Sequence, residues 1–209
     1  MLSCWFTRAH SAKLICLVLD LGFKMSVDTI KEDCRNKEFY AYGTHRLFAE
    51  RARILQLRRS WITFLGMATP LFVGGVVSSF GTDFKALPYL IWFMGGLGLI
   101  QLLMSAFSIV FRWDEKYEYA LESSRANTEL YNRFKDLADS PPSDLVQKHK
   151  ELVRENEARE FKDLGQLITD KDMRFANHAS LKYHHKACHV CKVTPTSPKP
   201  SNCDSCGNF

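Results

Sequence analysis

Charge is missing from two long stretches of an otherwise charge-rich chain. Charged residues make up 24% of the 209 positions, yet residues 61–80 and 89–111 contain none. Chance gives such a pair of gaps with a probability on the order of 10⁻⁵, so the segregation is physical. It excludes an ordinary soluble globular domain, and the mean hydropathy of −0.19 hides it by averaging two apolar segments against a polar remainder. Cysteine is scarce before the tail: four of the seven fall in the last 22 residues. That distribution, in a chain this long, excludes a secreted disulfide miniprotein, and the apolar content excludes a disordered chain. No nucleophile–base pair, phosphate-binding loop or open metal site is visible, so an enzyme is not expected.

The uncharged stretches are 20 and 23 residues long. A helix rises about 1.5 Å per residue and the hydrocarbon core is about 30 Å thick, so each can cross a bilayer. Inside lipid the backbone must satisfy itself, so each should be helical. The linker, residues 81–88, holds one acid (Asp83) and one base (Lys85). So short a connection forces an antiparallel hairpin and leaves both polar arms on one side.

Arg46, Arg51, Arg53, Arg58 and Arg59 precede the first span against one acid, Glu50, and Arg112 and Lys116 follow the second. Positive residues stay cytoplasmic, so both termini should lie inside a bacterial inner membrane, with Arg51, Arg53, Arg58 and Arg59 setting the topology. Trp61, Tyr89, Trp92 and Trp113 stand at the span ends, where aromatic rings prefer the interface. A buried helical hairpin in a soluble protein is the competing reading.

Residues 1–24 carry a short apolar run broken by Asp20. They lack a small-x-small cleavage site, and Ile15 stands where a lipoprotein signal wants a small residue before Cys16. The segment is read as lying upstream of a working start at Met25, with a peripheral amphipathic helix as the alternative.

Residues 25–60 form a pre-span helix whose stripe is Val27, Ile30, Cys34, Ala41, His45, Phe48, Ala52 and Leu55. Cys34 and His45 are thereby packing residues. Residues 112–170 form cytoplasmic helices. The first carries Tyr117, Leu121, Ser124, Tyr131, Phe134 and Ala138, and Ser140-Pro141-Pro142-Ser143 ends it. Asp144 and Gln147 have capping-box spacing for the next, expected over 144–169 with Leu145, His149, Leu152, Phe161, Leu164 and Ile168 on its seam. Its charged middle, 154–160, should be solvated. These seams pack on each other or on neighbouring subunits.

Residues 171–209 end in Cys188-x-x-Cys191, eleven residues, then Cys203-x-x-Cys206. Two residues between thiolates let one tight turn present both sulfurs, and two such turns close a tetrahedral Cys4 shell. A disulfide pair fits poorly with a reducing interior, and a redox CxxC wants a βαβ setting that is absent. The expectation is a closed, structural zinc knuckle on Cys188, Cys191, Cys203 and Cys206, with His184, His185 and His189 as substitutes and Gly207 as loose backbone. No aromatic platform surrounds it, so nucleic acid is not an expected partner.

The spans carry one more pattern. Gly98, Gln101, Ser105 and Ser108 form a small polar strip on the second, and Gly66, Pro70, Gly74 and Ser78 one on the first. Such strips serve either close helix packing or the wall of an oligomeric pore. Two helices per chain cannot enclose a channel, so a pore needs several subunits.

The expected class is therefore all-α: a transmembrane hairpin, long cytoplasmic helices and a zinc knuckle. The pre-span Cys34, Arg46 and Ala49-Glu50-Arg51-Ala52-Arg53, the hairpin and the following helix resemble the SLATT domain over roughly 27–138. That family comprises prokaryotic two-transmembrane effectors of nucleotide-centred conflict systems. The resemblance implies an oligomeric, membrane-disrupting, pore-forming effector triggered by a signalling nucleotide or sensor protein in antiphage defence. The tail spacing is similar to that of a family of small mobilome proteins named for CxxC-x11-CxxC. A membrane-anchored zinc-knuckle adaptor that conducts nothing is the alternative.

Overall fold

The computed structural model describes residues 26–81 and 85–209. The expectations for residues 1–24 and for Asp83 lie outside these. Every regular element among the described residues is a helix, with no strand. Helix α1, Val27–Phe80, has 54 residues and is about 80 Å long at the usual rise. Ser26 caps it, its side chain accepting from the Thr29 N–H at 3.1 Å. Gly81 ends it at a φ of 72°, a conformation open to glycine, with its N–H on the Val77 carbonyl. Helix α2, Leu87–Val110, starts with Pro88 in its first turn, where a missing N–H costs nothing. Arg112, at a φ of 53°, turns the chain directly into α3, Trp113–Asp139. Helices α4, Leu145–Leu164, and α5, Asp170–Tyr183, follow.

Two of these helices, α1 through its second half and α2, are long and apolar enough to cross a membrane, and their apolar windows hold no buried residue. Large side chains such as Trp61, Phe64, Leu71, Trp92 and Ile109 stand exposed. In a soluble hairpin these would be the core. Exposed as they are, they make a surface of the kind that lipid accepts.

The other half of α1 is the spine of a helical bundle. It runs antiparallel to α3, as the paired contacts Arg35–Asp139, His45–Thr128 and Arg59–Asp114 require. Ile30, Cys34 and Ala41 pack with Leu130, Phe134, Leu137 and Ala138, and with Leu145 and Leu152 of α4. Nearer the spans, Phe48 and Ala52 meet Ala120. The expected α1 stripe is thus the seam, save that Val27 is exposed. His45 sits there too, its Nδ1 2.8 Å from Thr128 Oγ1.

Four expectations about the later helices need correction. Asp144 precedes α4 but makes no side-chain cap, and Gln147 donates instead to Glu151 one turn on. Helix α4 stops at Leu164, before Gly165, rather than reaching 169. Its charged middle is not wholly solvated. The buried face runs Leu145, His149, Leu152, Asn156, Arg159, Asp163 at unbroken steps of three and four, so Phe161 and Leu164 fall off it and are exposed. Asp163 accepts from Tyr119 Oη (2.7 Å), Ser123 Oγ (2.8 Å) and Arg159 Nη2 (2.9 Å), and its other oxygen from Asn127 Nδ2 (3.0 Å). Arg159 also reaches Glu122 at 2.7 Å. A buried charge survives only when it is partnered, and here donors surround it.

Helix α5 was not anticipated. It lies along the face of α1 opposite the α3 seam. A capping box starts it: Thr169 accepts from the Asp172 N–H, and Asp172 accepts from the Thr169 N–H at 2.8 Å. Gly43 admits it, because a Cβ there would stand 2.9 Å from the Ala176 carbonyl oxygen. Arg51 ties it down through the Asp172 carboxylate (2.8 Å) and the Leu167 carbonyl (2.7 Å).

Candidate metal centre

The four tail cysteines come together. All four Sγ atoms lie within 4.8 Å of one another, with Cys191–Cys206 at 3.7 Å and Cys188–Cys203 at 4.0 Å. A tetrahedron of thiolates about 2.3 Å from a zinc-sized ion has edges of about 3.8 Å. A disulfide needs about 2.05 Å, and all four are free thiols. The donor set therefore fits a metal ion that completes its shell with sulfur.

Each CxxC is a folded turn. In the first, the Lys192 N–H bonds the Cys188 carbonyl at 2.9 Å and the Cys188 N–H bonds the Val193 carbonyl at 3.0 Å. In the second, the Gly207 N–H bonds the Cys203 carbonyl at 2.8 Å and the Asn208 N–H bonds the Ser201 carbonyl at 2.8 Å. The left-handed positions are Lys192 and Asn208, not Gly207. Glycine is needed at 207 for a different reason than loose backbone: a Cβ there would lie 2.0 Å from the Ser201 carbonyl oxygen. The loop between the turns, with Pro195, Pro198 and Pro200, contains no helix.

Backbone donors prepare the sulfurs for an ion. Burial opposes the Cys188 thiolate, but the N–H groups of Cys191 and Val190, together with the Cys206 and Cys191 thiols, outweigh it and bring its pKa down to about 6. The N–H groups of Ser205, with its nitrogen 3.4 Å from the sulfur, and of Cys206 lower Cys203 likewise. Burial pushes the Cys206 thiol up, so a cation is what would draw off its proton.

The cluster is part of the bundle and not a loose tail. Cys188, Cys203 and Cys206 pack with Leu181 of α5 and Phe39 of α1. His178 of α5, which sequence reasoning passed over, lies with Nδ1 2.8 Å from the Cys206 carbonyl and Nε2 2.8 Å from the Ser197 carbonyl. Asn177 donates to the Ser205 carbonyl at 2.9 Å. The signal for this clamp was the Thr169-x-x-Asp172 box, which starts the helix that carries both. None of the histidines expected as substitute ligands joins the cluster. His185 and His189 are exposed, and His184 is wedged between Phe39, Tyr42 and Tyr183.

In the spans, Gly98, Gln101, Ser105 and Ser108 fall on the half-buried face of α2. Gln101 Nε2 lies 2.7 Å from where a Cβ on Gly66 would stand, so its amide rests on the α1 backbone. The first-span strip divides: Gly66 receives Gln101, while Pro70, Gly74 and Ser78 face outward. Of the four arginines near the first span, Arg53 pairs with Glu50 and Arg58 lies over the Trp113 ring at 5.2 Å. Arg59 pairs with Asp114 at 2.7 Å and covers Tyr117, and Arg51 anchors α5 as described.

An all-helical chain with two helices able to span a membrane and a four-cysteine cluster docked on its bundle defines the class. Within it, the chain belongs to the mobilome CxxCx(11)CxxC protein family, whose model matches residues 31–209. The match takes in the spans and bundle as well as the cysteines, so it covers the whole arrangement and not the tail alone. No curated protein and no solved structure matches the chain. Family and fold together fit a membrane protein carried on a mobile element.

Proposed function

We propose that the protein is an oligomeric membrane-disrupting effector of a prokaryotic conflict system, seated in the bacterial inner membrane with both termini in the cytoplasm. The observation that carries this reading is the unbroken α1. One rigid helix contacts the cysteine cluster and α5 at Phe39 and Gly43, and then becomes the first span. The one proline of α1, Pro70, lies inside the span, so a change at the cytoplasmic end reaches the start of the span at Trp61 without an intervening joint. The resemblance to SLATT effectors supports the same mechanism, and it makes a signalling nucleotide or sensor protein the expected trigger.

At rest the polar strip of α2 is turned inward, with Gln101 on Gly66. The outward small residues Pro70, Gly74 and Ser78 suit close approach of a second hairpin. Activation exchanges the contact within one hairpin for contacts between hairpins and lets Gln101 face water. Zinc is the ion proposed for Cys188, Cys191, Cys203 and Cys206. It supplies folding energy that so small a region cannot draw from its own core, and the closed sulfur shell leaves no position for catalysis. Metal analysis of the purified chain should give one zinc per chain, and absence of metal rejects this part.

The adaptor reading draws on the exposed Val190 and Val193 of the first CxxC turn, which offer a small apolar surface to a partner. Expression in bacteria loaded with a potential-sensitive dye separates the two. The effector reading requires depolarisation that Gln101→Leu reduces at equal expression. An unchanged potential at high expression removes it and leaves the adaptor.

A further inference from the structure

Among the described residues outside the spans, the three most exposed large apolar side chains stand at one place, the elbow between α4 and α5. Phe161 is 80% exposed, Leu164 76% and Leu167 93%, with Met173 close behind. Scattered apolar residues need no explanation, but a contiguous ridge of them on a polar bundle marks a contact surface. Leu164 and Met173 also line a groove of about 930 Å³ between α1 and α5, together with Phe39, Leu47 and the exposed Tyr40. Ridge and groove thus adjoin on one face. Arg174 lines the same groove, and its Nε is buried with no hydrogen-bond partner. Among the described residues Arg174 forms no ion pair, which leaves its charge open to a carboxylate from another chain.

Height above the membrane selects the occupant. Arg51 binds both the Leu167 carbonyl and the Asp172 carboxylate, so Leu167 and Met173 stand at one level on α1. Arg174 lies at that level too, between the Arg51–Asp172 and Gly43–Ala176 contacts. These positions are 10 or more residues before Trp61, about 15 Å from the span, while the polar layer of a bilayer leaflet is only about 5–8 Å deep. The ridge therefore misses the lipid. A second copy meets it squarely, because hairpins fixed in one bilayer in one orientation bring equal heights together. On α4, Glu157, Phe161 and Leu164 follow at steps of four and three, so an exposed carboxylate shares the ridge face. Among the described residues Glu157 forms no ion pair.

We propose that the α4–α5 elbow is the surface through which copies of this chain associate, the ridge of one lying on the Met173 side of its neighbour's groove with Glu157 facing Arg174. This rests on the reading that the hairpin sits in the membrane, but not on any leak. The test uses the full chain in native membranes, with two differently tagged forms co-expressed, one Leu167→Cys and one Met173→Cys. Both sites are exposed, so folding is undisturbed. Mild oxidation should link the two tags, while Glu129→Cys, exposed on α3, should not replace Leu167→Cys. Glu157→Arg alone and Arg174→Glu alone should each lower the linked fraction several-fold. The double swap, present in both forms, should restore it. Linkage that is absent, no greater than with Glu129→Cys, or unresponsive to the charge swap overturns the proposal. Retention of the chain in the membrane, measured on the same samples, shows whether the membrane reading stands when this one falls.

Discussion

Replacing Asp163 by Ala should loosen α4 from the bundle, and the size of the effect follows from what the carboxylate touches. Asp163 is 4% exposed and Arg159 7%. Removing one member of a buried ion pair costs about 3–5 kcal/mol, because the remaining charge stays desolvated. Here Arg159 keeps Glu122, whose side chain is largely exposed, and Asn127 keeps the Ser123 carbonyl at 2.9 Å. The loss therefore belongs at the lower end, about 3 kcal/mol. For a bundle of this size each kcal/mol moves Tm by roughly 2–4 °C, so the midpoint should fall by roughly 6–12 °C. Circular dichroism of the detergent-solubilised chain reads this, and hydrogen exchange should show faster opening along α4 than along α3. Asp163→Asn, which keeps the shape and one acceptor, should lose less. A fall below about 2 °C for Asp163→Ala would mean that the polar cluster is hydrated and does not hold the two helices together.

Acid should weaken the same bundle. Burial lowers the pKa of His45, with Arg46 adding to it against the Ser124 carbonyl, and burial with Lys186, Arg35 and Lys135 lowers that of His184. Unfolded, both titrate near 6.5. Their contribution is complete above that pH and is lost as pH falls through the lower folded values. Tm should drop between pH 7.5 and 5, and the His45→Gln, His184→Gln double variant should flatten the slope. An equal slope in the variant assigns the acid sensitivity elsewhere. Two glycine variants should separate as well. Gly207→Ala drives a methyl into the Ser201 carbonyl and should lower metal occupancy. Gly66→Ala meets only the movable end of Gln101 and should leave the fold and metal content unchanged. Equal behaviour of the two in metal analysis contradicts the role given to Gly207.

The features legible in sequence were those set by a single element. Absence of charge marked the spans, and steps of three and four marked the seam of α1 against α3, where Ile30, Cys34, Ala41, Phe48 and Ala52 are buried. The paired CxxC turns marked the cluster, because the spacing alone brings two sulfurs together. What escaped depended on two elements at once. Arg159 and Asp163 look like solvated helix charges until α3 supplies Ser123 and Asn127. Gly43 and Leu47, one turn apart, are buried on a second face of α1 that has meaning only once α5 exists. That helix begins at a capping box with Asp where Glu or Gln is usual, and its polar composition hid its amphipathic face. His178 was missed for the same reason, since its partners are backbone carbonyls 19 and 28 residues away.

The account stands on insertion of α2 and the second half of α1 into lipid. Alkaline carbonate washing of membranes from cells expressing the full chain tests this most directly. The chain should remain in the pellet and leave it only with detergent. Recovery in the carbonate supernatant would mean that these apolar faces are covered by protein and that no bilayer is crossed.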